Sequence, residues 1–160
     1  MSIGVIGAGK WGSALYFVLS QDNKVFIHSR TQRDIENFVS LEEILKCEYL
    51  VIAIPAQSVS SWLEENFVFQ DQKVLVAAKG IEATTGMFLN DIYAKYVPDA
   101  NIAFLSGPSF ATEVMKSLPT ALVINSHNEK VSAKFASFFS FFYKNVSLNG
   151  CHGCRSRRGI

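Results

Sequence analysis

Short apolar runs alternate with amphipathic stretches along most of the chain. The runs are Ile3–Ile6, Val25–Ile27, Tyr49–Ile54, Val74–Ala78, Ile102–Leu105 and Ala121–Ile124. Each is apolar throughout rather than at every second position, as in strands buried on both faces of a parallel sheet. Between them, apolar residues recur at helical spacing near Gly12–Leu19, Leu41–Lys46, Ser58–Glu65, Thr85–Tyr96, Phe110–Lys116 and Glu129–Tyr143. Strand and helix in turn predict an α/β domain with a doubly wound, mainly parallel sheet. In such sheets ligands bind in the crevice beyond the carboxyl ends of the strands. The pattern runs without an internal repeat or linker to about residue 144. It divides the chain into one domain, 1–149, and an atypical tail, 150–160, expected to be disordered.

The first strand runs into Gly7-Ala8-Gly9-Lys10-Trp11-Gly12, and a helix follows with Trp11, Ala14, Leu15, Val18 and Leu19 on one face. Gly-x-Gly-x-x-Gly between a strand and a helix is the dinucleotide-binding fingerprint of a Rossmann domain. The glycine spacing alone would also describe a plain structural turn. Gly7 permits a tight turn, Gly9 lets the backbone approach a pyrophosphate, and Gly12 lets helix and strand pack closely. The N-terminus of the helix then offers unpaired N–H groups to the phosphates.

The other strand ends carry the remaining candidates. The second strand ends in His28-Ser29-Arg30, about 20 residues past the glycine turn, where an NAD site places an Asp or Glu on the ribose. No acid stands there. Arg30 can stack on adenine, pair with a 2′-phosphate as in NADP, or be an ordinary exposed arginine; Thr31 is a candidate cap for the next helix. The third strand ends in Pro55-Ala56-Gln57-Ser58, where Gln57 or Ser58 can reach a cofactor and Ser58 is better suited to cap a helix. Lys79-Gly80-Ile81-Glu82 follows the fourth strand. A lysine leaving a buried strand at the crevice can neutralise a phosphate or polarise a carbonyl; the alternative is a plain surface lysine. The fifth strand leads into Ser106-Gly107-Pro108-Ser109-Phe110-Ala111-Thr112-Glu113, with Ser109 placed to cap the next helix and leave free N–H groups at the crevice. The segment is not Gly-x-Ser-x-Gly, and His28, His127 and His152 are too scattered for a triad or a metal site.

Composition narrows the class. A formal net charge of +1 argues against nucleic acid or an anionic membrane as the main partner. No apolar stretch approaches the roughly 20 residues of a membrane span, and the N-terminus lacks a signal peptide's basic flank. Three cysteines, an odd number, do not describe a disulfide framework. A cytoplasmic protein is expected.

Taken together, Gly7-Ala8-Gly9-Lys10-Trp11-Gly12, Ala78-Lys79-Gly80-Ile81-Glu82 and Leu105-Ser106-Gly107-Pro108-Ser109-Phe110-Ala111 with Glu113 resemble the bacterial NAD(P)-dependent glycerol-3-phosphate dehydrogenase family. Order and approximate spacing match, and the resemblance covers residues 1 to about 149. It implies reversible hydride transfer between NAD(P)H and dihydroxyacetone phosphate, giving sn-glycerol 3-phosphate for phospholipid synthesis. By the same resemblance, Gly7, Gly9, Lys10, Trp11, Gly12, Arg30, Lys79 and Ala111 contact NAD or NADP. Lys79, Gly107 and Ser109 face the substrate, and Lys79 is the catalytic candidate. His28 stands where the family usually has tryptophan, Lys10 where serine is common, and the segment from Arg30 to Tyr49 is shorter than usual. These departures fall at the adenosine end and leave cofactor preference open.

Family members continue into a mostly helical domain carrying a second lysine, to which the resemblance assigns proton donation. The Gly150–Ile160 stretch does not resemble that continuation. Its Cys151-x-x-Cys154 pair lacks a full zinc ligand set, and its arginines read as a solvated terminus. The expectation is a cofactor domain that turns over little or nothing alone. Phe135, Phe138, Phe139, Phe141 and Phe142 are expected partly to core the last helix and partly to expose apolar surface that favours a homodimer or aggregation. Two rivals remain: a nucleotide-sensing Rossmann module, and another two-domain dehydrogenase of the 6-phosphogluconate or hydroxyacid type.

Overall fold

The computed structural model describes residues 1–107, 110–118, 121–139 and 147–148. The tail at 150–160 and the phenylalanines at 141 and 142 lie outside them. The strands are β1 (Ile3–Ile6), β2 (Val25–His28), β3 (Tyr49–Ile52), β4 (Lys73–Val76), β5 (Ile81–Glu82), β6 (Met87–Phe88), β7 (Ile102–Ser106), β8 (Val123–Asn125) and β9 (Ser147–Leu148). The α-helices are α1 (Lys10–Leu19), α2 (Leu41–Ile44), α3 (Val59–Asn66), α4 (Leu89–Tyr93), α5 (Ala111–Met115) and α6 (Glu129–Phe138).

The main sheet runs β2-β1-β3-β4-β7-β8-β9. The chain steps from β1 to β2 on one side and returns to β3 on the other, which places a topological switch point between β1 and β3. Successive strand residues face opposite sides and feed two cores. Ile3, Val5, Val51 and Leu75 pack with Leu15 and Leu19 of α1, Val114 of α5 and Phe135 of α6. Ile6, Leu50, Ile52 and Val74 pack with Ile44 of α2, Leu63 of α3 and Ile92 of α4. Both faces are covered, which is why the strands read as continuous apolar runs.

Two expectations about elements need correction. The stretch 85–96 is not one helix: β5 and β6 pair as an antiparallel hairpin, and α4 starts only at Leu89. Gly86, at φ +69°, closes that turn in a backbone region that opposes helix propagation. The strand predicted at 121–124 forms as β8, but antiparallel to β7, with Ser106 opposite Val123. A parallel return would have to carry the chain back across the sheet. The five residues of α5 rise only about 7.5 Å, against about 17 Å for five residues of strand, so the chain re-enters at the edge it left.

The aromatic cluster of α6 is more uniform than expected. Phe135, Phe138 and Phe139 are all buried, and Phe135 and Phe138 meet Tyr49 edge to face at centroid distances of 5.6 and 5.0 Å. The exposed large apolar side chains among the described residues lie elsewhere, at Val68, Phe88, Phe110, Met115 and Leu118 among others.

Candidate dinucleotide-binding crevice

The carboxyl ends of β1, β2, β3 and β4 open into a crevice of about 1160 Å³ at the switch point. The glycine turn forms its floor, and each glycine answers a different demand. Gly7 sits at φ +110°, and a Cβ there would lie 2.6 Å from the Ala53 carbonyl oxygen. A Cβ on Gly12 would fall 1.8 Å from the Gly7 carbonyl oxygen, so α1 can approach the turn only through a glycine. At Gly9 a Cβ would meet nothing within 4 Å, because its bare face is turned to open space. The turn is tied across the sheet by the Gly7 N–H, which donates to the His28 carbonyl at 2.8 Å.

Lys79 leaves the end of β4 beside this floor. Its ammonium donates to the Gly107 carbonyl at 2.9 Å and lies 5.6 Å from the Trp11 ring centroid. Trp11 is fixed in turn by its indole N–H, which donates to the Ala77 carbonyl at 3.0 Å. The contact over the indole face is favourable for a cation. Gly107 itself is at φ +128°, and a Cβ there would lie 2.4 Å from the Ala121 carbonyl oxygen. The backbone that receives Lys79 therefore requires a glycine. Lys10, Trp11, Arg30, Lys79 and Ala111 all line the crevice, whereas Gly107 meets it through Lys79. Ser109 lies outside the described residues.

Several side chains do other work than the sequence indicated. Gln57 is absent from the crevice wall: its amide donates to the Ile81 carbonyl at 3.0 Å and accepts from the Ala83 N–H at 2.7 Å, clamping the hairpin. Ser58 lines the crevice, but its hydroxyl does not cap α3. The buried Glu82 carboxylate takes that role from across the fold, accepting from the Ser60 N–H and hydroxyl at 3.2 and 2.9 Å and from the Thr85 hydroxyl at 2.7 Å. Those bonds, from Thr85 first and then Ser60, hold its carboxyl below the usual glutamate range. Thr31 caps no helix. The next one, α2, is capped by Ser40, whose hydroxyl accepts from the Glu43 N–H while the Glu43 carboxylate accepts from the Ser40 N–H.

Sequence reasoning missed one wall and one arginine. Ser58, Ser61, Trp62, Glu65 and Asn66 line the crevice along one face of α3 and its entry, at the i, i+3, i+4, i+7, i+8 spacing that marks a helix stripe. The sequence predicts a helix here and names only Ser58 of these residues, because the mixed polar and apolar spacing does not by itself mark a ligand wall. Arg33 also lines the crevice, three residues beyond Arg30, in a segment without hydrophobic periodicity.

A glycine floor at the switch point, a helix N-terminus facing it and a lysine just past the end of β4 define an α/β domain of the dinucleotide-binding (Rossmann) class. The particular family follows from comparison with known proteins. The sequence model of the NAD-dependent glycerol-3-phosphate dehydrogenase N-terminus matches residues 31–132, and the chain belongs to that family. It is 72% identical to glycerol-3-phosphate dehydrogenase [NAD(P)+] of Sulfurimonas denitrificans over 151 residues, which cover 94% of this chain and 51% of that protein. It is 52% identical to the protein of the same name from Campylobacter jejuni, covering 96% of this chain and 52% of the relative. The chain thus spans about half the length of the curated relatives it matches. The fold is shared with glycerol-3-phosphate dehydrogenase of Coxiella burnetii, at a TM-score of 0.70, 22% identity and coverage of 93% and 52% of the two chains. It is also shared with pyrroline carboxylate reductase of Plasmodium falciparum, at a TM-score of 0.68 and 14% identity, over 94% and 57% of the two chains.

Proposed function

We propose that this chain forms the cofactor half of an NAD(P)-dependent glycerol-3-phosphate dehydrogenase, which interconverts dihydroxyacetone phosphate and sn-glycerol 3-phosphate. The observation that carries the reading is the meeting of Lys79, Trp11 and the glycine turn in one crevice. The dinucleotide, when bound, would supply the hydride as NAD(P)H and receive it as NAD(P)+ in the reverse direction. The residues of this chain bind, orient and compensate charge. The open face of Gly9 and the first N–H groups of α1 fit a pyrophosphate, which needs close backbone approach and a positive helix end. The Lys79 ammonium stands where negative charge grows on the substrate oxygen, or where the substrate phosphate must be neutralised. Its bond to the Gly107 carbonyl fixes its height above the indole, and preorganised placement is what such stabilisation requires. Ser109, by family resemblance, joins the substrate side. The reading extends to a cytoplasmic protein with no nucleic-acid role, supported by the near-neutral charge; among the described residues no helix is long and apolar enough to cross a membrane. A homodimer is part of the same proposal, supported by the exposed Phe110, Met115 and Leu118.

The test is calorimetric titration of the 160-residue chain with NADH and NADPH, beside a Gly9→Ala variant. A Cβ at Gly9 meets nothing in the fold, and alanine at a helix N-cap costs only on the order of 1 kcal/mol. The variant is expected to stay folded and to lose at least about tenfold in affinity through the blocked pyrophosphate approach. Unchanged affinity, or no binding by the parent, would refute the proposal.

A further inference from the structure

Lys79 stands on a short span of chain that is held at both ends and nowhere between. Upstream, the Ala77 N–H donates to the Ile52 carbonyl at 2.9 Å, and the Ala77 carbonyl accepts from the Trp11 indole. Ala78, Lys79 and Gly80 make no backbone hydrogen bond among the described residues. Downstream, the next fixed points are the Ile81 carbonyl and the Ala83 N–H. One side chain holds both: Gln57, at 3.0 and 2.7 Å. Gly80 bridges the span at φ +113°, and a Cβ there would meet nothing within 4 Å. A glycine is therefore demanded by the path of the backbone from Lys79 into the hairpin, and not by any neighbour.

The two bonds of Gln57 run in opposite directions. A carbonyl can only accept and an N–H can only donate, so one side chain serves both only if it carries a donor and an acceptor at its end, as an amide does. Gln57 is exposed and does not line the crevice. Glu82, between the two clamped backbone groups, is held in turn by Ser60 and Thr85. The start of the hairpin is thus locked over three successive residues. A lysine side chain is long and flexible, so its ammonium has a defined position only if its Cα has one. The Gly107 carbonyl and the Trp11 ring can receive the ammonium together only from the right origin.

Resting on the reading of Lys79 as the charge-compensating residue of the cofactor half, we propose that Gln57 is a positioning residue for Lys79. By clamping Ile81 and Ala83 it fixes Gly80, and Gly80 fixes the Cα from which the ammonium reaches the Gly107 carbonyl over the indole. Gln57 touches neither dinucleotide nor substrate and acts only through Lys79. A displaced ammonium would have to move back before it could stabilise developing charge, so its placement counts as well as its presence.

The experiment is proton–carbon NMR of the 160-residue chain, with the parent beside Gln57→Met and Gly80→Ala, followed by titration with NADH. Methionine keeps the length of the Gln57 side chain and removes its amide. Alanine at Gly80 meets no atom but opposes the positive φ. In the parent, the Lys79 ε-methylene is expected upfield of that of the exposed Lys130, because the indole ring current acts on it. Both variants should move that resonance most of the way to the Lys130 position, while the methyl resonances of the buried Leu15, Leu63 and Ile124 stay in place. NADH affinity should fall roughly threefold to tenfold in Gln57→Met and at least as far in Lys79→Met. The double variant should bind no more weakly than Lys79→Met, since a residue that acts through another adds nothing once that other is gone. A Lys79 resonance or NADH affinity unchanged in Gln57→Met, or losses that add in the double variant, overturns the positioning role alone. A parent that binds no NADH overturns the cofactor reading, and with it any use for a positioned Lys79.

Discussion

Three glycines of one turn illustrate how much a single missing methyl group can decide. Gly12 is the strictest, since a Cβ 1.8 Å from a backbone oxygen can be relieved only by moving α1 away from β1. Gly12→Ala is therefore expected to destabilise the fold by about 3 kcal/mol or more, at the upper end of overpacking costs, as read from urea unfolding. Gly9→Ala should leave the same measurement nearly untouched while impairing binding. The contrast would separate a packing glycine from a ligand glycine, a distinction expected from the strand–turn–helix context, in which each position has a different neighbour. Arg33 was not legible in that way. Nothing in its sequence surroundings says that the segment between β2 and α2 forms no helix, so its place on the crevice wall emerges only from the fold.

Elements were legible where burial was two-sided and obscure where side chains replaced backbone regularity. The central strands β1, β3, β4 and β7 could be read from apolar continuity, since α/β sheets cover both faces. The β5–β6 hairpin could not. Leu89, Ile92 and Tyr93 continue a helical spacing, and the preceding turn is held by Gln57 and Glu82 rather than by its own pattern. Glu82 links this hairpin to the N-terminal end of α3, and the link has a pH signature. Its carboxyl titrates below its ordinary value of 4.5, because Thr85 and Ser60 donate to the charged form. The stabilisation is thus complete above that ordinary value and disappears as pH falls through the lower, folded one. Glu82→Ala should be less stable than the parent near neutrality, and the gap should narrow as the solution is acidified. Urea unfolding at about pH 7 and about pH 3 measures it; a gap that is constant across that range would mean that the carboxylate's charge is not what holds the hairpin. Glu43, held low by bonds from Ser40, and Asp71, held low by Asn101, add acid sensitivity to parent and variant alike.

At the scale of the whole molecule, the strand order does the positioning. With β1 at the switch point, the ends of four parallel strands deliver the glycine turn, the segment with Arg30 and Arg33, the α3 entry and Lys79 to one rim. The sequence pointed to that rim, because parallel strands share their carboxyl ends, and it supplied Lys79, Arg30 and Trp11 as residents. Of the wall formed by α3 and its entry it named only Ser58, and Ser61, Trp62, Glu65 and Asn66 join the crevice through the fold. That wall includes Trp62, and the floor includes Trp11, so both of the chain's tryptophans border the same cavity. The protein consequently has a native optical reporter. Its tryptophan emission comes wholly from indoles at the crevice, one beneath the Lys79 ammonium. A reduced nicotinamide held there would accept their excitation by energy transfer, so dimmed tryptophan emission should accompany filling of the crevice without any label. Emission unchanged at saturating NADH would show that the dinucleotide does not lie between the two indoles.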